Sequence, residues 1–365
     1  MNGPGYGNVH VSAGAPSAVV KVLRMEFVKV LKTSKFLDPA QGFSETERYS
    51  EVRVDPLTGR TSRILDFPVK EVLRADVSRQ VELSRGLCPF CPGVVEAVTP
   101  KFHPDLVSRE RYSRGEALCV PNVFPYDENG AVCIICREHY LPLRSFTPRI
   151  LGDALSCCFE YLEDVVIRQP EMVFQSVNWN YMPLAGGSII HPHLQITASS
   201  SSTNYYAHVV PCLARYREET GRDFWADLRD EEQKNAERCI SAAEGVTWLA
   251  AFAPLGVFDV MGILHEALRP GDVTGQTLRE LVQGILNVLE YIDSLNMGSL
   301  NMSLYFLGGN PLFGPHIRIC PRVSIPPLDT SQVNYMKMLH DESLTTLKPE
   351  DICKDLQAFW HGRGA

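Results

Sequence analysis

The sequence predicts an α+β protein made of two copies of a β-β-α-β-β unit, and three observations carry that prediction. Two stretches repeat one order of elements, each holds one long helix with apolar residues at helical spacing, and histidines fall at corresponding places in both. In the first stretch, strands are expected over 117–124 and 131–137, a helix over 151–168, and strands over 172–180 and 191–198. In the second, the same order is expected over 246–253, 257–264, 276–295, 299–307 and 316–322. Leu155, Cys158, Leu162 and Val165 stripe the first helix, and Leu278, Leu281, Ile285, Leu289 and Ile292 the second. His139 and His265 each close a second strand, while His193 and His316 each lie in a last strand. Only the first copy keeps His191-Pro-His193-Leu-Gln195 with the glycines that precede it, so the first half is expected to be catalytic and the second a worn copy.

Four segments follow from this order. Residues 1–20, rich in Gly, Pro, Ala and Ser, are expected to be a flexible arm, and 21–198 the first half with its cysteine turn. A connector is expected over 199–244, with a Ser-rich start and a charged helix, before the second half at 245–365. The apolar run 246–264 has the length of a membrane span, but Pro254, Gly256 and Asp259 break it, so two buried strands explain it better. No membrane association is expected.

At 365 residues and 45% hydrophobic content the chain has enough apolar material for a full core. Its formal charge of -8 argues against a nucleic-acid backbone as partner, although local arginines and backbone amides can still bind small anions. The eleven cysteines are odd in number and many sit in apolar runs, such as Cys133, Cys157, Cys158 and Cys320. That pattern reads as reduced thiols in a cytoplasmic protein, and the first twenty residues lack the basic start and apolar centre of a signal peptide.

The segment ending in His191-Pro-His193-Leu-Gln195 carries the chemistry. On a strand, the period of two would place His191, His193 and Gln195 on one face, behind Asn180, Gly186, Gly187 and Ser188. A neutral imidazole is both a nucleophile and a metal ligand, so two histidines can divide those tasks. The plain alternative is an edge strand with two half-exposed histidines. Upstream, Cys88-Pro-Phe-Cys91 is a tight turn that points two thiolates at one place. Cys133 and Cys136 could complete a four-cysteine site, but their spacing on a strand sends the sulfurs to opposite faces. His139 and His191 are the better partners, giving two sulfurs and two nitrogens. Such a site would hold the strand of His193 and leave substrate untouched; a reduced, metal-free turn is the competing reading.

Taken together, Cys88-Pro-Phe-Cys91-Pro-Gly93, Asn122-Val-Phe-Pro125, His139 before Leu-Pro-Leu, Asn180, Ala-Gly-Gly-Ser188 and His-Pro-His-Leu-Gln195 resemble the galactose-1-phosphate uridylyltransferase family of the histidine triad superfamily. The resemblance extends to Asp55-Pro-Leu-Thr-Gly59 and, weakly, to Asn301-Met-Ser-Leu and His316-Ile-Arg-Ile-Cys-Pro-Arg322. It implies histidine-triad-like halves forming facing antiparallel half-barrels. It also implies that His193 attacks the α-phosphorus of a nucleoside diphosphate sugar such as UDP-glucose and that Gln195 holds the nucleotidyl intermediate. Gly186, Gly187 and Ser188 would line the phosphate path and Asn122 and Asn180 the nucleotide. Cys88, Cys91, His139 and His191 would hold a structural Zn2+, a sugar 1-phosphate would be the acceptor, and the protein would be a homodimer. Related branches that phosphorolyse ADP-sugars or dinucleoside polyphosphates share the HxHxQ element, which makes a phosphorylase the first alternative. A non-catalytic, zinc-stabilised nucleotide-binding protein is the second.

The chain also departs from the family pattern. The family's Arg-Ala-x-Arg-Pro run is replaced by a stretch in which Arg63 and Lys70 are the candidate phosphate ligands, and Val123 stands where an acidic residue occurs in relatives. In the second half only His316 remains of a second histidine pair, and Lys337, His340, Asp341 and Glu342 are the candidates for hexose binding.

Overall fold

A computed structural model describes residues 25–66, 72, 74–325 and 327–361. The expected arm at 1–20 and Lys70 lie outside the described residues. The chain opens with β1 (Val28–Asp38), β2 (Ser44–Val54) and β3 (Thr61–Leu65), then α1 (Ser78–Arg85) and the short α2 (Val95–Val98). The first half follows as β4 (Tyr112–Arg114), β5 (Ala117–Pro121), β6 (Asn129–Ile134), α3 (Pro148–Arg168), β7 (Phe174–Tyr181) and β8 (His193–Ser199). Then come α4 (Asn204–Thr220), α5 (Phe224–Asn235) and β9 (Cys239–Ala242). The second half is β10 (Val246–Ala250), β11 (Val260–Leu264), α6 (Gly275–Ser294), β12 (Leu300–Leu307) and β13 (His316–Pro321). The chain continues through β14 (Ser324–Ile325), β15 (Thr330–Ser331), α7 (Tyr335–His340), β16 (Ser343–Thr345) and α8 (Pro349–His361).

The α+β duplication is present, and its two copies join edge to edge. β7 pairs antiparallel with β12, giving one ten-stranded sheet in the order β4-β5-β6-β8-β7-β12-β13-β11-β10-β9. One face of this sheet is covered by the two long helices. Thr147 starts α3, its hydroxyl accepting from Ile150 N at 3.3 Å, with Pro148 at the first helical position where no amide donor is needed. Leu151, Leu155, Cys158, Leu162 and Val165 then bury one face of α3, and Leu281, Ile285, Val288, Leu289 and Ile292 do the same in α6. Each such side chain contributes about 1.5–3 kcal/mol on burial. Gly284 lets α6 approach the sheet closely, because a Cβ there would lie 2.1 Å from the Trp248 ring.

The opposite face is covered unevenly. Over the first half, Cys88 and Phe90 of the cysteine turn pack on Val120, Val132 and Ile134. Over the second half, α4 and α5 bring Tyr206, Val209, Leu213, Trp225 and Leu228 onto Leu249, Met261 and Ile263. Between these two covers runs a polar strip. Along β8, Leu194 and Ile196 enter the helix-side core, so His193 and Gln195 face the other way. The register sets Gln195 opposite Asn178, Asn178 opposite Ser303, Asn180 opposite Asn301 and Ser303 opposite Arg318. Polar side chains of both halves therefore meet across the β7–β12 seam.

Three sequence expectations change. Strand β8 starts at His193, two residues later than expected, because Pro192 has no amide to give the ladder; its carbonyl accepts from Ile135 N at 3.0 Å. His191 thus lies just outside the strand, its ring turned to Cys88 and Cys91 of the turn that covers the face His193 shares with Gln195. The expected single charged helix in the 199–244 segment is two helices, the first with Pro211 inside it. Finally, the 25–65 region forms strands that the repeat did not foretell: β1-β2-β3-β16 make a separate four-stranded sheet. The buried Arg53 of β2 ties this sheet to α8 through Glu350 at 2.8 Å.

Candidate active site and metal cluster

The four predicted ligands come together from distant parts of the chain. Cys88, Cys91, His139 and His191 each offer one atom, and these atoms all lie within 4.8 Å of one another. Cys91 Sγ is 3.3 Å from His139 Nδ1 and 3.7 Å from His191 Nδ1, and Cys88 Sγ is 3.6 Å from His191 Nδ1. A tetrahedral ion with metal–sulfur bonds of about 2.3 Å and metal–nitrogen bonds of about 2.0–2.1 Å would separate sulfur and nitrogen by about 3.6 Å. The donor set therefore fits such an ion without rearrangement.

The outer nitrogens of both histidines are held as well. His191 Nε2 meets the Cys136 carbonyl at 2.8 Å, and His139 Nε2 meets Ser84 Oγ at 2.9 Å, which turns both Nδ1 lone pairs toward the cluster. Burial pushes the Cys88 thiol up to about 11 and His191 down to about 4. Two thiolates this close together without a cation are costly, and two neutral imidazoles suit a ligand role. Cys133, the competing ligand candidate, points instead into the helix-side core, its thiol 3.6 Å from the Ala154 carbonyl.

His193, two residues on, lies outside the cluster. Its Nδ1 donates to the His191 carbonyl at 2.8 Å, which fixes the tautomer and leaves the lone pair on Nε2. The Phe90 ring meets the imidazole edge-on at 5.3 Å between centroids, and burial lowers its basicity, so the ring is neutral and nucleophilic. One carbonyl thus links the two histidines: the residue in the Cys/His cluster positions the backbone that holds His193.

The glycine segment folds back on the end of β7. Gly186 is left-handed at φ 90° and closes the turn Pro183–Ala185, its amide donating to the Pro183 carbonyl at 2.9 Å. Gly187 passes so close to the strand that a Cβ would sit 2.6 Å from the Asn180 carbonyl. Met182, at φ 71°, bears the strain of this reversal, which costs about 1–3 kcal/mol. Ser188 is exposed beyond the turn. Asn180 Nδ2 donates to Gln195 Oε1 at 3.5 Å. Asn122 lies apart from these residues: its side-chain oxygen caps its own turn, accepting from Phe124 N at 3.0 Å, and its amide bonds Gly130, four residues along β6 from the Ile134 that faces His193.

Sequence reasoning missed Asn301 and Arg322 as neighbours of this site. Asn301 Nδ2 donates to Asn180 Oδ1 at 2.8 Å and to the Ala185 carbonyl at 2.9 Å, while Arg322 Nη1 donates to Asn301 Oδ1 at 3.3 Å. The signal was present, since Asn301 alternates with the core residues Met302 and Leu304, but only the seam shows what it faces. The hexose candidates lie elsewhere. Asp341 pairs with Arg60, Glu342 accepts from Thr61 Oγ1 at 2.6 Å and pairs with Arg63 at 3.0 Å, and Lys337 donates to Ser343 at 3.1 Å. His340 ends α7 beside them.

The second half preserves the position of His193 as His316 and covers it. Ile134 faces His193 and Ile263 faces His316 at the same register, and each histidine bonds through Nδ1 to the carbonyl two residues before it, at 2.8 and 2.7 Å. But His316 is fully buried, Trp225 stacks on it at 4.4 Å, and the Tyr205 hydroxyl donates to its Nε2. The match expected between His139 and His265 does not hold. His265 sits two residues past Ile263, bonded to Thr247 and the Glu244 carbonyl, whereas His139 lies five past Ile134.

An antiparallel sheet duplicated about a seam, with a buried histidine beside a glycine turn, defines a histidine-triad-like α+β protein, and solved structures agree. A GalT-like protein from Arabidopsis thaliana is similar at a TM-score of 0.65 and 19% identity, over 84% of this chain and 98% of that one. An ADP-glucose phosphorylase from the same plant, solved with ADP-glucose, matches at 0.65 and 18% over the same shares. A uridylyltransferase matches at 0.62 and 15%, over 86% of this chain and 99% of its own. The fold is that of the galactose-1-phosphate uridylyltransferase family. No family model matches the sequence. The chain belongs to one family with an uncharacterized protein of Archaeoglobus fulgidus, to which it is 32% identical over 340 residues, 92% of this chain and 99% of that protein. Among the described residues, no helix is long and apolar enough to cross a membrane.

Proposed function

We propose that this protein is a nucleotidyltransferase that acts on nucleoside diphosphate sugars through a nucleotidyl-His193 intermediate. The observation that carries the reading is the His193 tautomer: Nδ1 is committed to the His191 carbonyl, so Nε2 is the free nucleophilic atom. Nε2 attacks the α-phosphorus, the bond from phosphorus to the bridging oxygen breaks, and a sugar 1-phosphate leaves with that electron pair. A second phosphate oxygen then attacks the same phosphorus and returns the pair to Nε2, so the chain ends unchanged. Gln195 and the backbone at Gly186, Gly187 and Ser188 would meet the phosphoryl charge, and Asn180, with Asn122 further along the sheet, would serve the nucleotide. The specific reading is a hexose-1-phosphate uridylyltransferase using UDP-glucose. Phosphorolysis of an ADP-sugar is the second reading, supported by the likeness to the plant ADP-glucose phosphorylase, at a TM-score of 0.65 against 0.62 for the uridylyltransferase.

We further propose that the cluster of Cys88, Cys91, His139 and His191 holds Zn2+, whose contribution is to fix structure. Its supports are the tetrahedral spacing and the anchored outer nitrogens. The homodimer is likewise a proposal. β1 is exposed along nearly its whole length and shows Leu31, Phe36 and Leu37 to solvent beside Phe43, a surface suited to a second copy. Sedimentation should give twice the chain mass, and a monomer at micromolar concentration would reject it.

The donor is tested by incubating the protein separately with UDP-glucose and ADP-glucose and locating any adduct by mass spectrometry. A uridylyl group on His193 is the expected result. An adenylyl group there transfers the assignment to the phosphorylase reading. No adduct from either donor in folded, metal-loaded protein would refute nucleotidyl transfer.

A further inference from the structure

We propose that Asn301 and Arg322, both from the second half, are positioning residues that dictate which end of the Gln195 amide faces the transferred phosphoryl group. The inference rests on the nucleotidyl-transfer reading and adds to it the part played by the half that lacks an open histidine. An amide side chain is nearly symmetric in shape, so its oxygen and nitrogen exchange places at little steric cost. A chain of amides has a fixed sense only where its ends admit a single role. Here both anchors do. A guanidinium donates only, and Arg322 Nη1 lies 3.3 Å from one end of the Asn301 amide, which must be its oxygen. A backbone carbonyl accepts only, and the Ala185 carbonyl lies 2.9 Å from the other end, which must be the nitrogen.

From that fixed point the sense propagates. Asn301 Nδ2 also donates to Asn180 at 2.8 Å, so Asn180 presents Oδ1 to it and Nδ2 to Gln195. Gln195 accepts through Oε1 at 3.5 Å and keeps Nε2 for another acceptor; no hydrogen bond among the described residues uses Nε2. The phosphoryl oxygens of a nucleotide only accept, so this is the productive sense, and the opposite one would set oxygen against oxygen. A donor to a charged oxygen is worth roughly ten- to a hundredfold in rate. The relay crosses the seam between halves, because Asn180 and Asn301 are cross-strand partners. The same Asn301 nitrogen holds the turn that begins the glycine segment, so the relay and the phosphate path share one anchor.

Asn301→Asp tests the relay, because its carboxylate can no longer donate to Asn180. Asn180 then turns its nitrogen toward it, and Gln195 reverses in response. The rate of adduct formation is measured in the wild type, Asn301→Asp, Gln195→Ala and the double variant, with donor affinity measured alongside. Asn301→Asp should slow adduct formation roughly fiftyfold when Gln195 is present and by less than about threefold when it is absent, with donor affinity within about threefold throughout. Equal penalties in both backgrounds would overturn the proposal, since a structural defect does not depend on Gln195. If Asn301→Asp does not fold, the Arg322 pair decides: Arg322→Lys should stay within about threefold and Arg322→Met should not. Side-chain amide exchange by NMR needs no substrate. The Asn180 and Asn301 NH2 groups should exchange slowly and that of Gln195 quickly; the reverse order overturns the relay. A wild type that forms no adduct while showing the expected exchange pattern would refute nucleotidyl transfer and leave the relay standing.

Discussion

A His193→Asn protein is expected to form no nucleotidyl adduct and to lose turnover by about ten thousandfold or more, while remaining folded. The size follows from the role, because an enzyme without its nucleophile keeps only binding and charge stabilisation. The fold should survive because asparagine is smaller than the imidazole it replaces and its amide can still donate to the His191 carbonyl, the bond that now holds the ring. The companion variant His316→Asn should keep the adduct, since His316 is closed in by Trp225 and Tyr205 and its Nε2 is already engaged. Mass spectrometry of both variants after incubation with donor checks the pair. An adduct on the His193→Asn protein, or one on His316 of the wild type, would remove His193 from its assigned role.

Cys88→Ser is expected to lower bound zinc from about one per chain to near none and to cost several kcal/mol of stability, which for a chain of this size lowers the melting temperature by roughly 5–10 °C. A serine hydroxyl stays protonated and is a poor ligand for a tetrahedral ion, and the remaining donors would be left buried without their partner. The loss should extend to turnover although no metal touches substrate. Without the ion, only Cys91 remains beside the Nδ1 of His191, and the carbonyl that fixes the His193 tautomer belongs to His191. Metal analysis, thermal melts and adduct formation on one sample check the three effects together. Unchanged zinc content would assign the ion to other ligands.

The repeat and the Cys/His cluster were legible because each left a local trace: helical stripes such as Leu281, Ile285, Leu289 and Ile292, and the tight spacing of Cys88 and Cys91. His139 could be joined to them through chemistry, since two thiolates call for further ligands. Asn301 and Arg322 could not, because their partners are set by the pairing of β7 with β12, a contact between strands more than a hundred residues apart. Periodicity places Asn301 on the polar face of its strand and says nothing of what lies opposite. The exclusion of His191 from the strand that begins at His193 was hidden for a different reason. Alternation assumes a continuous ladder, and Pro192 breaks it between them. The β1–β2 hairpin escaped notice because its outward positions are themselves apolar, so the alternation that marks a half-buried strand is blurred.

The seam has a consequence for ancestry. Asn178 of β7 stands directly opposite Ser303 of β12, and counting outward from that pair in either direction arrives at corresponding positions of the two repeats. A protein consisting of a single repeat could therefore have paired its own β7 edge with the same edge of a sister molecule about a twofold axis through residue 178. Such a symmetric ancestor would have carried two equivalent open histidines, one on each side of the axis. Fusing the two copies into one chain would have freed one side from having to match the other, and the helices that follow the first repeat do lie over the histidine of the second. On the proposed function, catalysis would then have been confined to one side, and the strand across the axis left free to take up a supporting part.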